Sequence, residues 1–232
     1  MKAVILAGGE GQRLLPHTAS LPKPMMRIGD RPILEIIIRQ LRALDIEQFL
    51  LATGYLEESI RSYFGDGSGL GISIRYSRER KPLGTAGPLS LLRRYLSEQF
   101  FVINGDVLTD LDFGALLASH RERRNDVTLA LANRRQCIDF GVVRLDCQGG
   151  FCSWDEKPTF DYLVSTGICV MDSEVLTVLP DDTFLNLPDF IESLKISGAR
   201  IGGYIHRGYW TDIGRKQDFE LACQNAERFS LL

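Results

Sequence analysis

The sequence predicts an α/β fold, a Rossmann-like mixed and mostly parallel sheet flanked by helices, on three observations. A short apolar, partly β-branched run at the start of the chain stops at Gly8-Gly9. Similar runs then alternate with segments of helical periodicity as far as residue 123. Beyond residue 126 the pattern changes to short strands with little helix between them.

The opening run, Lys2–Ala7, reads as a buried strand feeding a glycine loop. Pro32 stands where a first helical turn tolerates it. Ile33, Ile36, Ile37, Gln40, Leu41 and Leu44 then recur at helical spacing, which predicts an amphipathic helix over 31–44. The pattern continues with strands at 49–53, 72–76 and 100–104 and helices at 56–64, 85–95 and 113–123. Such alternation implies crossover units on a largely parallel sheet. Residues 127–132 extend the sheet, and 141–145, 151–154 and 166–171 form a mixed, partly antiparallel second half on the acceptor side of a cleft. A strand at 200–204 between helices at 187–197 and 215–227 completes the chain. Ligands of open α/β sheets bind beyond the carboxyl ends of strands, so the loops after Ala7, Tyr76 and Asn104 are expected to converge on one site.

A chain of 232 residues, 44% of them hydrophobic, is large enough for a sizeable core. Its 27 basic and 30 acidic residues leave a net charge of -3, which gives no general cationic face for nucleic acid or an anionic membrane. Any anionic ligand must be met locally. The first apolar run is too short for a signal or spanning segment, so a cytoplasmic protein is expected. Cys137, Cys147, Cys152, Cys169 and Cys223 lack CxxC spacing and read as reduced core thiols rather than a disulfide frame or zinc site.

The first loop, Leu6-Ala7-Gly8-Gly9-Glu10-Gly11-Gln12-Arg13-Leu14, places three glycines in four positions, and Leu21-Pro22-Lys23-Pro24 follows. Glycines let backbone amides close on an anion, and Arg13 and Lys23 add charge. The loop lacks the Gly-Lys-Ser/Thr of a Walker motif and the immediate helix of a dinucleotide fingerprint. Asp106 follows a strand and a glycine, at the sheet rim. Asp110-Leu111-Asp112 has the Asp-x-Asp form with which glycosyltransferases hold a metal, but it leads into a helix that Asp112 is placed to cap.

These pieces resemble the sugar-1-phosphate nucleotidylyltransferase family, whose signature is LAGGxGxRL followed by PKP. Pro82-Leu83-Gly84-Thr85-Ala86-Gly87, Asn104-Gly105-Asp106, Glu156-Lys157-Pro158, Thr166-Gly167-Ile168 and Trp210-Thr211-Asp212-Ile213-Gly214 continue the likeness in family order. The resemblance implies the nucleotide-diphospho-sugar transferase type of fold. One domain over 1–232 is expected, with a nucleotide-binding part over 1–125 and a sugar-binding part over 126–232. The activity it implies is transfer of a nucleoside monophosphate from an NTP to a sugar 1-phosphate, with Mg2+ as cofactor.

By the same resemblance, Arg13, Lys23, Asp106, Lys157 and Asp212 are the catalytic set, with Asp106 and Asp212 holding the metal. Leu6, Ala7, Gly8, Gly9, Gly11, Gly84, Thr85, Asn104 and Gly105 bind nucleotide. Glu156, Lys157, Ser165, Thr166, Gly167 and Arg207 face the sugar phosphate, and Ser165 replaces the more usual asparagine. Residues 56–60 and 64–67 and the GTAG turn look most like the branch handling GTP with mannose- or heptose-type sugars. The expected partners are an NTP and a sugar 1-phosphate, without nucleic acid or membrane, and a homo-oligomer is compatible with the sequence. No sequence for a β-helical acyltransferase extension follows the last helix, so a stand-alone transferase is expected. The rival readings are a metal-dependent glycosyltransferase and a non-catalytic regulatory subunit that binds nucleotide sugars.

Overall fold

The computed structural model describes residues 1–229. Positions 230–232 of the expected 126–232 part lie outside the described residues. The first half contains β1 (Lys2–Ala7), the two-residue strands β2 (Arg27–Ile28) and β3 (Arg31–Pro32), α1 (Ile33–Arg42), β4 (Gln48–Thr53), α2 (Glu57–Phe64), β5 (Ser73–Arg78), α3 (Gly87–Leu92), β6 (Phe100–Asn104), β7 (Val107–Thr109) and α4 (Phe113–Arg123). The second half contains β8 (Val127–Cys137), β9 (Val142–Leu145), β10 (Phe151–Asp155), β11 (Thr159–Met171), α5 (Leu187–Ile196), β12 (Ile201–His206), β13 (Trp210–Asp212) and α6 (Lys216–Gln224).

Seven strands form one sheet in the order β12-β8-β11-β6-β1-β4-β5. β1 pairs in parallel with β4 and β6, β4 with β5, and β12 with β8. Only β11 runs antiparallel, against both β6 and β8. The expected mixed, mostly parallel sheet is therefore present.

Helices cover both faces, and this explains why the central strands are apolar at consecutive positions rather than alternating. Ala3, Ile5, Phe101 and Ile103 pack on one face with the isoleucines of α1, while Val4, Leu50, Phe100 and Val102 pack on the other with Leu89 and Phe190. Burial of these side chains fixes the register of β1 between β4 and β6. The carboxyl ends of β1 and β6 are thereby held level, with Leu6 opposite Asn104.

Several boundaries differ from the sequence reading. The helix expected from 85 begins at Gly87, because Gly84 turns through a positive φ of 76° and the amides of Ala86 and Gly87 both donate to Leu185 O. Pro32 precedes α1 in an extended conformation instead of joining its first turn. β8 and β11 reach past the sheet, pairing as far as Cys137 and Thr159 in an arm of mainly exposed residues. Exposed residues carry no alternation, so the sequence gives no sign of it. β7 and β13 are three residues each, too short for any periodic signal.

The thiols also require correction. Cys169 alone is buried; Cys137, Cys147, Cys152 and Cys223 are exposed, and all five are free. Burial pushes the Cys169 thiol up to about 12. Among the described residues no helix is long and apolar enough to cross a membrane. A disulfide-exchange reagent at pH 8 is expected to titrate the four exposed thiols in the native protein. Cys223 should react most slowly, since partial burial and Glu220 raise its pKa. The remaining thiol should react only in denaturant; five fast thiols in the native state would contradict this packing.

Candidate active site

β1 ends at Ala7, and its loop turns back over the sheet through Gly11, which has φ 64°. Leu14 N and Thr18 Oγ1 both donate to Gly11 O, at 2.9 and 2.8 Å, and fix the turn. A Cβ on Gly11 would stand 2.9 Å from Thr18 Cγ2, and one on Gly8 would stand 2.6 Å from Glu79 Oε1. Nothing lies within 4 Å of the corresponding point at Gly9, which faces open space. The loop is thus braced at Gly8 and Gly11 and bare at Gly9, as backbone that receives a ligand must be.

Two adjoining cavities meet over this loop. One, of about 370 Å3, is lined by the loop with Arg13, Lys23, Pro24, Asp106 and Gly214. The other, of about 670 Å3, is lined by Gly8 to Gln12, Gly54, Tyr55, Glu79 to Thr85, Pro88, Asn104, Asp106 and Phe184. The loops after β1, β5 and β6 therefore converge as the strand-end rule requires.

Lys23 projects from a short 3-10 helix, Lys23–Met25, opened by Pro22 and closed by Met25 N donating to Pro22 O at 2.8 Å. Pro24 packs against Gly105, where a Cβ would stand 3.1 Å from Pro24 Cγ and 3.0 Å from Leu6 O. That contact is why the residue before Asp106 is glycine. The Lys23 ammonium, only 9% exposed as a residue, donates to Asp106 Oδ2 and lies 3.3 Å from Asp212 Oδ1. Asp212 arrives from far along the chain because β13 pairs with β7, Asp212 opposite Val107, and Ile213 N donates to Asp106 O at 3.1 Å. Neither aspartate caps a helix: α6 has Arg215 at its N-cap. Burial holds the Asp106 carboxyl above the usual range, Lys23 opposes that shift, and the like charge of Asp212 adds to it.

This donor set suits a hard divalent cation. Two carboxylates converge on one positive charge, and the Lys23 ammonium stands in for the cation that they would share. Among the described residues no group of three or more His, Cys, Asp or Glu side chains forms a protein-only metal cage. Mg2+ needs none, since one or two carboxylates plus substrate phosphates commonly hold it.

The larger cavity is also lined by residues that the motifs did not single out. Glu79 sits one residue beyond β5 with its Oε2 accepting from Leu83 N at 3.0 Å, and burial raises its pKa. Tyr55, Gln12 and Phe184 join it on the wall. Applying the strand-end rule residue by residue would have found Glu79. Tyr55 and Phe184 lie on loops and carry no sequence signal.

The residues expected to face the sugar phosphate are spread more widely. Thr166 Oγ1 donates to Ala130 O, and Trp210 Nε1 donates to Thr166 O at 2.9 Å, beside a break in the β8–β11 register. Gly167, with φ 75°, lies against the Asn104 side chain. Ser165 is exposed beside them. Glu156 and Lys157 occupy the exposed turn between β10 and β11, where Glu156 accepts from Trp154 Nε1 and Lys157 lies 3.9 Å from Asp139. Arg207 is exposed just past β12. None of Glu156, Lys157 and Arg207 borders either cavity. The Asp-x-Asp pair diverges: Asp112 caps α4 by accepting from Ala115 N at 2.8 Å, and Asp110 accepts from Tyr209 N.

Removing Lys23 leaves Asp106 without its compensating charge. Lys23→Ala is expected to cost about 3 kcal/mol, the low end for a broken buried pair because Asp106 still reaches the cleft. Thermal unfolding checks this, and an unchanged Tm would contradict the placement.

Residues 2–228 match the sequence profile of the family described as nucleotidyl transferase. A mannose-1-phosphate guanylyltransferase of Mycobacterium tuberculosis is 35% identical over 223 residues, covering 94% of this chain and 62% of its own length. The chain thus spans less than two thirds of that relative. A D-glycero-alpha-D-manno-heptose 1-phosphate guanylyltransferase of Campylobacter jejuni is 33% identical over 221 residues, covering 94% of this chain and 97% of its own. The solved structure of a Bacillus anthracis protein assigned as a glucose-1-phosphate thymidylyltransferase superposes with a TM-score of 0.79 at 25% identity, over 97% of this chain and 95% of that one. The chain belongs to the nucleotidyl transferase family, that of the sugar-1-phosphate nucleotidylyltransferases.

Proposed function

We propose that the protein transfers a nucleoside monophosphate from an NTP to a sugar 1-phosphate, giving an NDP-sugar and pyrophosphate. The observation that carries this reading is the pair Asp106 and Asp212 closing on the Lys23 ammonium at the edge of the glycine-loop cleft. The phosphate oxygen of the sugar 1-phosphate forms a bond to the α-phosphorus as the bond to the β-phosphate oxygen breaks, and pyrophosphate leaves with the electron pair. A phosphate monoester is largely ionised at neutral pH, so no general base is needed. Rate comes from alignment and charge neutralisation.

Each residue then has a task. The amides of Gly8, Gly9 and Gly11 and the Arg13 guanidinium hold the departing end of the triphosphate, and Lys23 holds the α-phosphate. Asp106 and Asp212 would hold Mg2+, which when bound offsets the negative charge on the phosphate oxygens. Lys157 aligns the attacking phosphate and Glu156 the sugar hydroxyls, from a turn outside the cavities that must approach when substrate binds. Asp106→Asn is expected to lower turnover by ~10^2 to 10^3, the scale for loss of one preorganised charge-stabilising group. Pyrophosphate release checks it, and unchanged turnover at saturating Mg2+ would remove the metal assignment.

The finer reading is a guanine nucleotide with a mannose- or heptose-type sugar. Glu79 supports the base: its carboxylate lies on the wall of the larger cavity, where its Oε2 accepts from Leu83 N. A carboxylate only accepts, and guanine presents adjacent N1–H and N2–H2 donors, whereas uracil and thymine offer one N–H between two carbonyls. The two guanylyltransferase relatives support the same base and suggest the sugar class. A matrix of GTP, UTP, dTTP, CTP and ATP against hexose and heptose 1-phosphates tests both, with GTP expected to lead; a matrix silent throughout would favour a non-catalytic regulatory subunit. Glu79→Gln should narrow the GTP-to-UTP preference by about tenfold, the worth of one charge-assisted hydrogen bond. An unaltered preference would transfer base selection to other groups.

A further inference from the structure

The Asp-x-Asp segment retains one residue without a role. Asp112 caps α4, but Asp110 sits at the end of β7, the strand on which β13 carries Asp212. β13 pairs with β7 through three residues only, Trp210 opposite Thr109, Thr211 opposite Leu108 and Asp212 opposite Val107. So short a ladder does not hold its own register.

The chain entering β13 is gripped at the opposite end from Asp212. Asp110 Oδ1 accepts from Tyr209 N at 2.7 Å and lies 3.2 Å from His206 Nε2. Asp110 N and Thr109 Oγ1 both donate to Tyr209 O, at 3.1 and 2.9 Å. Arg228 Nη1 lies 3.6 Å from Asp110 Oδ2. Gly208 closes the turn over the carboxylate, where any Cβ would collide with Asp110 Oδ1. The grip is specific in register: a one-residue slip of β13 would take Tyr209 N off Asp110 and turn Asp212 to the other face.

We propose that Asp110 is a positioning residue for the cation pair, locking β13 on β7 so that the Asp212 carboxylate stands opposite Asp106. This rests on the reading of Asp106 and Asp212 as the cation pair. Asp110 reaches neither the glycine loop nor Lys23; its effect passes through Tyr209 and the β7–β13 ladder. Most of the core on both sheet faces lies in strands and helices that Asp110 does not touch, while Ile213 is buried in it and Tyr209 and Trp210 pack against it, so metal affinity is expected to fall further than global stability.

The test is Mn2+ binding to the full chain, read by water-proton relaxation, beside thermal unfolding. Asp110→Ala is expected to weaken Mn2+ binding by ~10- to 100-fold, the usual cost of losing a group that orients a metal ligand. Its Tm should stay within a few degrees of the parent's. Asp110→Asn, which keeps an acceptor for Tyr209 N–H, should recover most of the affinity. Gly208→Ala, which forces the carboxylate off that N–H, should reproduce the alanine loss and carries the test if Asp110→Ala does not fold. Asp212→Ala serves as the reference. If it abolishes Mn2+ binding while Asp110→Ala and Gly208→Ala bind as the parent does, the positioning role is overturned alone. If Asp212→Ala itself binds Mn2+ normally, the cation-pair reading fails and the positioning role with it.

Discussion

The site depends on one electrostatic arrangement, the nearly buried Lys23 ammonium held between the carboxylates of Asp106 and the half-exposed Asp212. Burial and the neighbouring Asp212 carboxylate both disfavour the ionised form of Asp106, and the Lys23 ammonium opposes them. The lysine supplies a positive charge between the two carboxylates. It also keeps the pair prepared for the more highly charged cation and phosphates that would take its place. An arrangement of this kind contributes little net stability compared with apolar packing of the same volume. Its presence therefore argues for chemistry more than for folding.

The rest of the molecule can be understood as the means of bringing three distant segments to that point. Lys23 is set by a proline-bounded turn, Asp106 by β6 and by a glycine that lets Pro24 and the end of β1 close in, and Asp212 by a three-residue strand. The apolar packing on both sheet faces makes β1 and β6 rigid neighbours, so the glycine loop and Asp106 share one frame. β13 has only Trp210 and the following Ile213 to pack on that core, and its register depends on hydrogen bonds around Tyr209. Precision is thus inherited from the core on one side of the site and built from polar contacts on the other.

The central strands were legible as short continuous apolar runs, because both of their faces are buried, and the helix Phe113–Arg123 because Asp112 announced its start. The glycine loop, Lys23 and Asp106 were legible because their residue types are tied to backbone demands nearby. The late start of α3 was not, since the contact that decides it is with Leu185, far along the chain. Asp212 joined Asp106 only through resemblance to a family, because nothing local to residues 210–212 reveals pairing with 107–109. Glu79 differs again: it lies one residue beyond β5, where the strand-end rule points, but a single carboxylate there belongs to no motif.

The most direct test is a crystal structure with Mn2+ and a non-hydrolysable nucleoside triphosphate, with the metal located by its anomalous scattering. The account predicts one strong peak between the carboxylates of Asp106 and Asp212, with the Lys23 ammonium displaced onto the phosphates. Metal bound elsewhere, with Lys23 still bridging the two aspartates, would contradict it.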